Sequence, residues 1–152
     1  MKHKTTLILG GCRSGKSSSA LNRANQVHVD GMTRQPDSGK IKIFVATSVP
    51  RDTEMEERVV KHREERGRDW ETVEEPLEID RVILEKSESA TVILVDCLTL
   101  WTSNLLFESD RPEKMEQALK RLETALKRSR CPVFMVANEV GYGIVPENRL
   151  AR

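Results

Sequence analysis

Three groups of residues in this chain have the types and spacing for phosphate chemistry. The first is G-G-C-R-S-G-K-S, from Gly10 to Ser17, directly after the apolar run Thr6-Leu7-Ile8-Leu9. This is G-x-x-x-x-G-K-[ST] behind a short strand, the arrangement that grips a nucleoside triphosphate. The turn formed by Gly10, Gly11, Cys12, Arg13, Ser14 and Gly15 curls backbone N–H groups toward phosphate oxygens, and the following helix adds the partial positive charge of its N-terminus. Lys16 reaches the β- and γ-phosphates and the Ser17 hydroxyl ligates Mg2+. The second is Asp96, which follows Thr91-Val92-Ile93-Leu94-Val95. A carboxylate at the end of a buried strand binds Mg2+ directly or through water, or else caps the next helix. The third is His62, set among Arg58, Lys61, Arg63 and Arg66. Such cations hold phosphates and offset charge during transfer. They also disfavour the protonated imidazole, which leaves a neutral nucleophile. The competing readings are a structural histidine and a solvated, charge-rich helix.

The elements that position these groups follow from periodicity and punctuation. Thr5 to Leu9 is the first strand and Gly15 to about Val27 the helix that begins in the loop. His28 to Lys40, with Gly31, Pro36, Asp37, Ser38 and Gly39, reads as a loop. Ile41 to Ala46 is a second strand, with Thr47-Ser48-Val49-Pro50 turning at its carboxyl end. Asp52 caps a helix running to about Arg66, with Met55, Val59 and His62 on one face, and Gly67 ends it. Pro76 to Lys86 is a further helix. Thr91 to Val95 is a strand suited to a parallel sheet covered on both faces, and Cys97 to Phe107 is helical. Pro112 to Arg128 places Met115, Leu119, Leu122 and Leu126 at helical spacing. Pro132 to Ala137 is a fourth strand. The Gly-rich, apolar stretch from Asn138 to Asn148 is either a substrate wall or a packed loop. Alternating strands and helices predict a parallel α/β fold, with ligands beyond the carboxyl ends of the strands. Gly10, Thr47, Asp96 and Asn138 all fall there.

Composition narrows the function classes. The 152 residues suffice for one domain with a real core. The net charge of +1 argues against nucleic acid as a partner. No apolar run reaches the length of a membrane span, and the basic N-terminus Met1-Lys2-His3-Lys4 leads into too short an apolar stretch for a signal peptide. Cys12, Cys97 and Cys131 lie far apart without a C-x-x-C pair, which suggests neither zinc nor a disulfide framework and makes the cytoplasm the expected compartment.

Taken together, these segments resemble the bifunctional adenosylcobinamide kinase / adenosylcobinamide-phosphate guanylyltransferase family of cobalamin biosynthesis. The motifs that match in order are G-G-C-R-S-G-K-S, Ala46-Thr47-Ser48, and E-M-E-E-R-V-V-K-H-R from Glu54 to Arg63. Trp70, D-C-L-T from Asp96, T-S-N-L-L-F from Thr102, and N-E-V-G-Y-G-I-V-P-E-N-R-L-A-R from Asn138 follow. The final stretch is far more specific than a P-loop. The resemblance spans essentially the whole chain and implies a RecA-like P-loop NTPase: a mostly parallel sheet with helices on both faces, in a single domain over residues 1–152. Relative to the family, the segment from Val29 to Lys40 is long. The chain also stops at Arg152, short of the family's C-terminal helix and closing strand.

The same resemblance implies two reactions and a cytoplasmic homotrimer. ATP or GTP phosphorylates the aminopropanol hydroxyl of adenosylcobinamide. GTP then guanylylates a histidine, and the corrinoid phosphate takes up the GMP to give adenosylcobinamide-GDP. The nucleotidyl histidine falls on His62, with Lys16 serving the phosphoryl transfer. The nucleotide contacts fall on Gly10 to Ser17, on Thr47 and Ser48, on Arg63, Glu64, Glu65 and Arg66, and on Glu74 and Asp96. Mg2+ falls to Ser17 and Asp96. Two other readings predict different behaviour: a kinase in which His62 is only structural, and a RecA-like nucleotide-dependent binding module without small-molecule chemistry.

Overall fold

The computed structural model describes residues 4–34, 41–48, 66–67 and 69–141, with 28–34 described by their backbone alone. Within them, five strands form one parallel sheet in the order β1-β5-β4-β2-β3. The strands are β1 (Thr5–Gly10), β2 (Ile41–Ala46), β3 (Trp70–Glu74), β4 (Ala90–Asp96) and β5 (Val133–Asn138), and the helices are α1 (Lys16–Arg34), α2 (Ile79–Lys86), α3 (Leu98–Glu108) and α4 (Pro112–Arg128). Helix α1 covers one face with Ala20 and Ala24 against Phe44, Leu94, Phe134 and Val136. Helices α2, α3 and α4 cover the other, where Ile79, Ile83, Trp101 and Leu122 meet Ile43, Val45, Ile93 and Val95. The expected α/β architecture with helices on both faces is therefore present.

Burial along the strands follows from their place in the sheet. β4 is central and covered twice, so Val92 to Val95 are all buried. At the edge, β1 alternates, and Leu7 and Leu9 stay about half exposed on the face opposite α1. The other edge strand, β3, is absent from the sequence reading. Its Trp70-Glu71-Thr72-Val73-Glu74 carries two carboxylates, and charge on an edge strand discourages pairing with other chains while hiding the strand from a hydrophobicity pattern. Trp70 holds it to the molecule. The indole packs edge-on against Phe44 and donates to Asn25 Oδ1 at 3.2 Å. Lys42, almost completely buried, bonds the same Asn25 oxygen at 3.1 Å and pairs with Asp69 at 3.7 Å.

Helices α1 and α4 depart from expectation. The loop predicted from His28 onward is helical through Arg34, so α1 runs through Gly31. One glycine costs a helix only about 1 kcal/mol, which a long helix absorbs. Residues 35–40 lie outside the described part. In α4 the buried stripe is Ala118, Leu122 and Ala125, whereas Leu119 is 50% exposed. Alanines on the inner face allow close approach, which rotates the helix away from the stripe its larger residues suggest. The helix predicted from Asp52 falls outside the described residues except at its last position, Arg66, which is helical.

Helix α2 starts at Ile79 rather than Pro76, because Glu75 builds a capping turn ahead of it. Its Oε1 accepts from the N–H of Leu77 at 3.0 Å and of Glu78 at 2.9 Å, and its Oε2 meets Arg81 at 3.4 Å. Burial pushes this carboxyl up, but the two N–H donors and the Arg81 guanidinium outweigh it and hold the pKa below the usual value. A depressed folded pKa contributes stability that is present above the unfolded pKa and lost as pH falls through the folded one. Glu75→Ala is therefore expected to cost about 1 kcal/mol near neutral pH, with the gap to wild type closing below about pH 4. Urea unfolding of both proteins across that range checks it, and a gap independent of pH would contradict it.

Candidate active site

The register of the sheet sets the site. Gly10 is paired with Asn138, Asp96 with Val136 and with Ala46, and Ala46 with Glu74. The strands therefore end nearly level, and the residues that follow them form one rim, as parallel sheets require of their binding edge.

The loop after β1 has the geometry of a phosphate cradle. Arg13 and Gly15 have φ of 56° and 79°. Left-handed residues of this kind let successive N–H groups converge on an anion. A Cβ on Gly10 would stand 2.6 Å from Ser14 Oγ, so a larger residue there would push the Ser14 hydroxyl out of its present position in the loop. The Ser14 N–H bonds Gly11 O at 3.3 Å, and the Ser19 N–H bonds Gly15 O at 2.9 Å as α1 begins. Lys16 Nζ donates to Gly11 O at 2.9 Å, which holds its charge inside the loop. Cys12 is exposed.

Beside the loop lies a cavity of about 240 Å³. Ser17, Ser18, Ser48, Arg66, Thr72 and Asp96 supply its polar lining, and Phe44 part of the rest. The Arg66 guanidinium carbon lies 3.6 Å over the Phe44 ring, and an Arg66 amino group donates to Thr72 Oγ1 at 3.3 Å. The cavity is thus lined by a cation held over an aromatic ring, by hydroxyls and by a carboxylate. Among the described residues no three His, Cys, Asp or Glu side chains cluster. Ser17 and Asp96 bring a hydroxyl and a carboxylate to the same lining, an oxygen donor set that fits Mg2+, which takes one or two protein oxygens and fills its octahedron with water and phosphate.

The remaining predicted residues are placed as follows. Thr47 is completely buried, and its hydroxyl donates to Cys97 O and accepts from the Cys97 N–H, both at 2.8 Å. Its side chain faces the β4–α3 turn and does not line the cavity. Glu74 is exposed at the end of β3, beside Ala46. Burial and the neighbouring Asp96 carboxylate push the Cys97 thiol up, although backbone N–H groups of α3 pull the other way. His62, Arg63, Glu64 and Glu65 lie outside the described residues. Phe44 and Thr72 escaped the sequence reading. Phe44 looks like any core residue, and Thr72 sits on the unrecognised strand. Asn104 escaped too, although it lies in the quoted T-S-N-L-L-F.

Comparisons with known proteins bear on the fold and on the family of the chain. A solved KaiC-like protein, PH0186 of the hyperthermophilic archaeon Pyrococcus horikoshii OT3, superposes with a TM-score of 0.52 over 91% of this chain and 64% of its own, at 16% identity. That likeness shows a KaiC- and RecA-like P-loop fold. The bifunctional adenosylcobalamin biosynthesis protein CobP of Pseudomonas aeruginosa is 37% identical over 146 residues, covering 96% of this chain and 78% of its own. The bifunctional adenosylcobalamin biosynthesis protein CobU of Escherichia coli K12 is also 37% identical, over 96% of this chain and 81% of its own. The family model described as cobinamide kinase / cobinamide phosphate guanyltransferase matches residues 6–152. With that match extending from the first strand to the last residue, the chain belongs to the cobinamide kinase / cobinamide phosphate guanyltransferase family of adenosylcobalamin biosynthesis.

Proposed function

We propose that the cradle and the adjoining cavity form one nucleotide site that serves both activities. The observation that carries this reading is the shared wall: Ser17 of the P-loop helix, Asp96 of β4, Ser48 beyond β2 and Arg66 all line one cavity. In the kinase reaction the aminopropanol hydroxyl of cobinamide attacks the γ-phosphorus of ATP or GTP. The bond to the β-phosphate oxygen breaks, the diphosphate leaves, and the hydroxyl proton passes to solvent or to a carboxylate at the rim. The chain's part is positioning and charge, from the loop N–H groups and Lys16.

In the second reaction an imidazole nitrogen of His62 attacks the α-phosphorus of GTP and pyrophosphate leaves. A phosphate oxygen of adenosylcobinamide phosphate then attacks the same phosphorus, and the P–N bond breaks to give adenosylcobinamide-GDP. A phosphoramidate suits this role because imidazole is a good leaving group as well as a nucleophile. Arg66, fixed on Phe44, supplies positive charge on the cavity wall. Ser17 and Asp96 are the residues that would hold Mg2+, which offsets charge on the phosphates. Arg63, Glu64, Glu65 and Glu74 complete the nucleotide contacts in this reading. Thr47 contributes by holding the rim.

We further propose that the enzyme works as a homotrimer in the cytoplasm. Among the described residues no helix is long and apolar enough to cross a membrane, and no disulfide joins the cysteines. GTP labelled at the α-phosphate, incubated with the protein and Mg2+ but no corrinoid, is expected to leave an acid-labile, base-stable label on the protein. The label should be absent from His62→Ala. A folded wild type that takes up no label, but still phosphorylates cobinamide from γ-labelled nucleotide, would leave His62 a structural residue.

A further inference from the structure

Helix α3 makes hydrogen bonds to the carboxyl ends of three strands other than the one it follows. Thr99 Oγ1 accepts from the Asn138 N–H at the end of β5, at 2.8 Å. Asn104 Nδ2 donates to Thr47 O, just beyond β2, at 2.8 Å, and to Pro76 O, just beyond β3, at 3.1 Å. Both partners of the Asn104 amide are carbonyl oxygens, which only accept, so the NH2 group must face them and both of its hydrogens are used. Thr47 is held from the other side as well. Its N–H bonds Asp96 O at 3.2 Å and its hydroxyl makes the two bonds to Cys97. The Glu75 N–H bonds Ala46 O at 2.9 Å, closing the link between the β2 and β3 ends.

We propose that Asn104 is a positioning residue for the transfer chemistry. Through two carbonyls it sets the spacing of the β2 and β3 rims, which carry Ser48 and Glu74, relative to Asp96 on β4. This rests on the reading of that rim as the nucleotide site. Its bonds go to the ends of β2 and β3, whereas the P-loop hangs on β1 and α1. Loss of Asn104 therefore disturbs the geometry of transfer more than the grip on phosphate. The requirement is for a double donor of this length: aspartate has the same shape but offers only acceptors to two acceptors. This gives the T-S-N-L-L-F segment a function in the site, although Asn104 itself does not line the cavity.

The test uses Asn104→Asp and, as the milder variant, Asn104→Ala. Affinity and stoichiometry for a non-hydrolysable GTP analogue are measured first, so that turnover can be expressed per competent site and any unfolded fraction drops out. Cobinamide phosphorylation per site is expected to fall about ten-fold or more in Asn104→Asp, since a misplacement of about 1 Å can cost about 10²-fold. Asn104→Ala should fall less, and analogue affinity should stay within about two-fold in both. Turnover per site equal to wild type in both variants, or a fall in affinity matching the fall in turnover, would overturn the proposal. A wild type that turns over but binds no analogue competitively with substrate nucleotide would overturn the site reading beneath it.

Discussion

Lys16→Met is expected to slow cobinamide phosphorylation by about 10²–10³-fold, the usual cost of removing one preorganised charge from a transferring phosphoryl group. Lys16 stands on the first turn of α1, where the chain leaves a loop closed by Gly10 and by the left-handed Gly15. Its ammonium is held on Gly11 O, within the cradle itself. The loop's other cation, Arg13, is exposed on the turn. Methionine keeps the length and packing of the stem while removing the charge, so the fold should be intact. If one site serves both activities, guanylylation from α-labelled GTP falls as well. Initial rates with γ-labelled ATP and label uptake from GTP measure the two. A variant within ten-fold of wild type in phosphorylation would remove Lys16 from the chemistry. A loss confined to phosphorylation would separate the sites.

Trp101→Ala is expected to destabilise the protein by about 3–5 kcal/mol, the range for emptying a large aromatic site in a packed core. Trp101 is 1% exposed and belongs to the cluster that joins α2, α3 and α4 to the sheet. Its Nε1 donates to Leu77 O at 2.8 Å, so truncation also orphans a carbonyl in the turn that Glu75 builds. Trp101→Phe separates the two contributions. It keeps most of the ring, loses the bond, and should cost about 1–3 kcal/mol. Urea unfolding monitored by circular dichroism gives both values. A loss for Trp101→Ala below about 1 kcal/mol would mean that α3 is not anchored through this side chain.

Much of the site was legible in the chain because its chemistry is local. A P-loop is specified by neighbours in sequence: Gly10 for a close approach, Gly15 for a left-handed turn, Lys16 and Ser17 for the phosphates. Asp96 was legible for a similar reason, since a β-branched run that stops at a carboxylate names its own end of the sheet. Four of the five strands among the described residues declared themselves by apolar composition. The fifth described strand, β3, did not, because Glu71 and Glu74, one on each face, interrupt the short apolar pattern of Trp70 and Val73. Its absence from the sequence reading concealed Thr72, and with it the bond that helps fix Arg66 over Phe44.

Tertiary structure decided what no local pattern carries. The order β1-β5-β4-β2-β3 places Asp96 and Ala46 level, although fifty residues separate them in the chain. That distance is bridged by Thr47, whose hydroxyl is spent on the Cys97 backbone instead of opening toward the cavity. The face that α4 buries was likewise decided by how closely alanines let it approach. The sequence by itself determined which groups we propose hold and cut a nucleoside triphosphate, because residue type and short spacing set that chemistry. The sheet decided which of them share a cavity and which brace it, because hydrogen-bond register and packing act between residues distant in the chain.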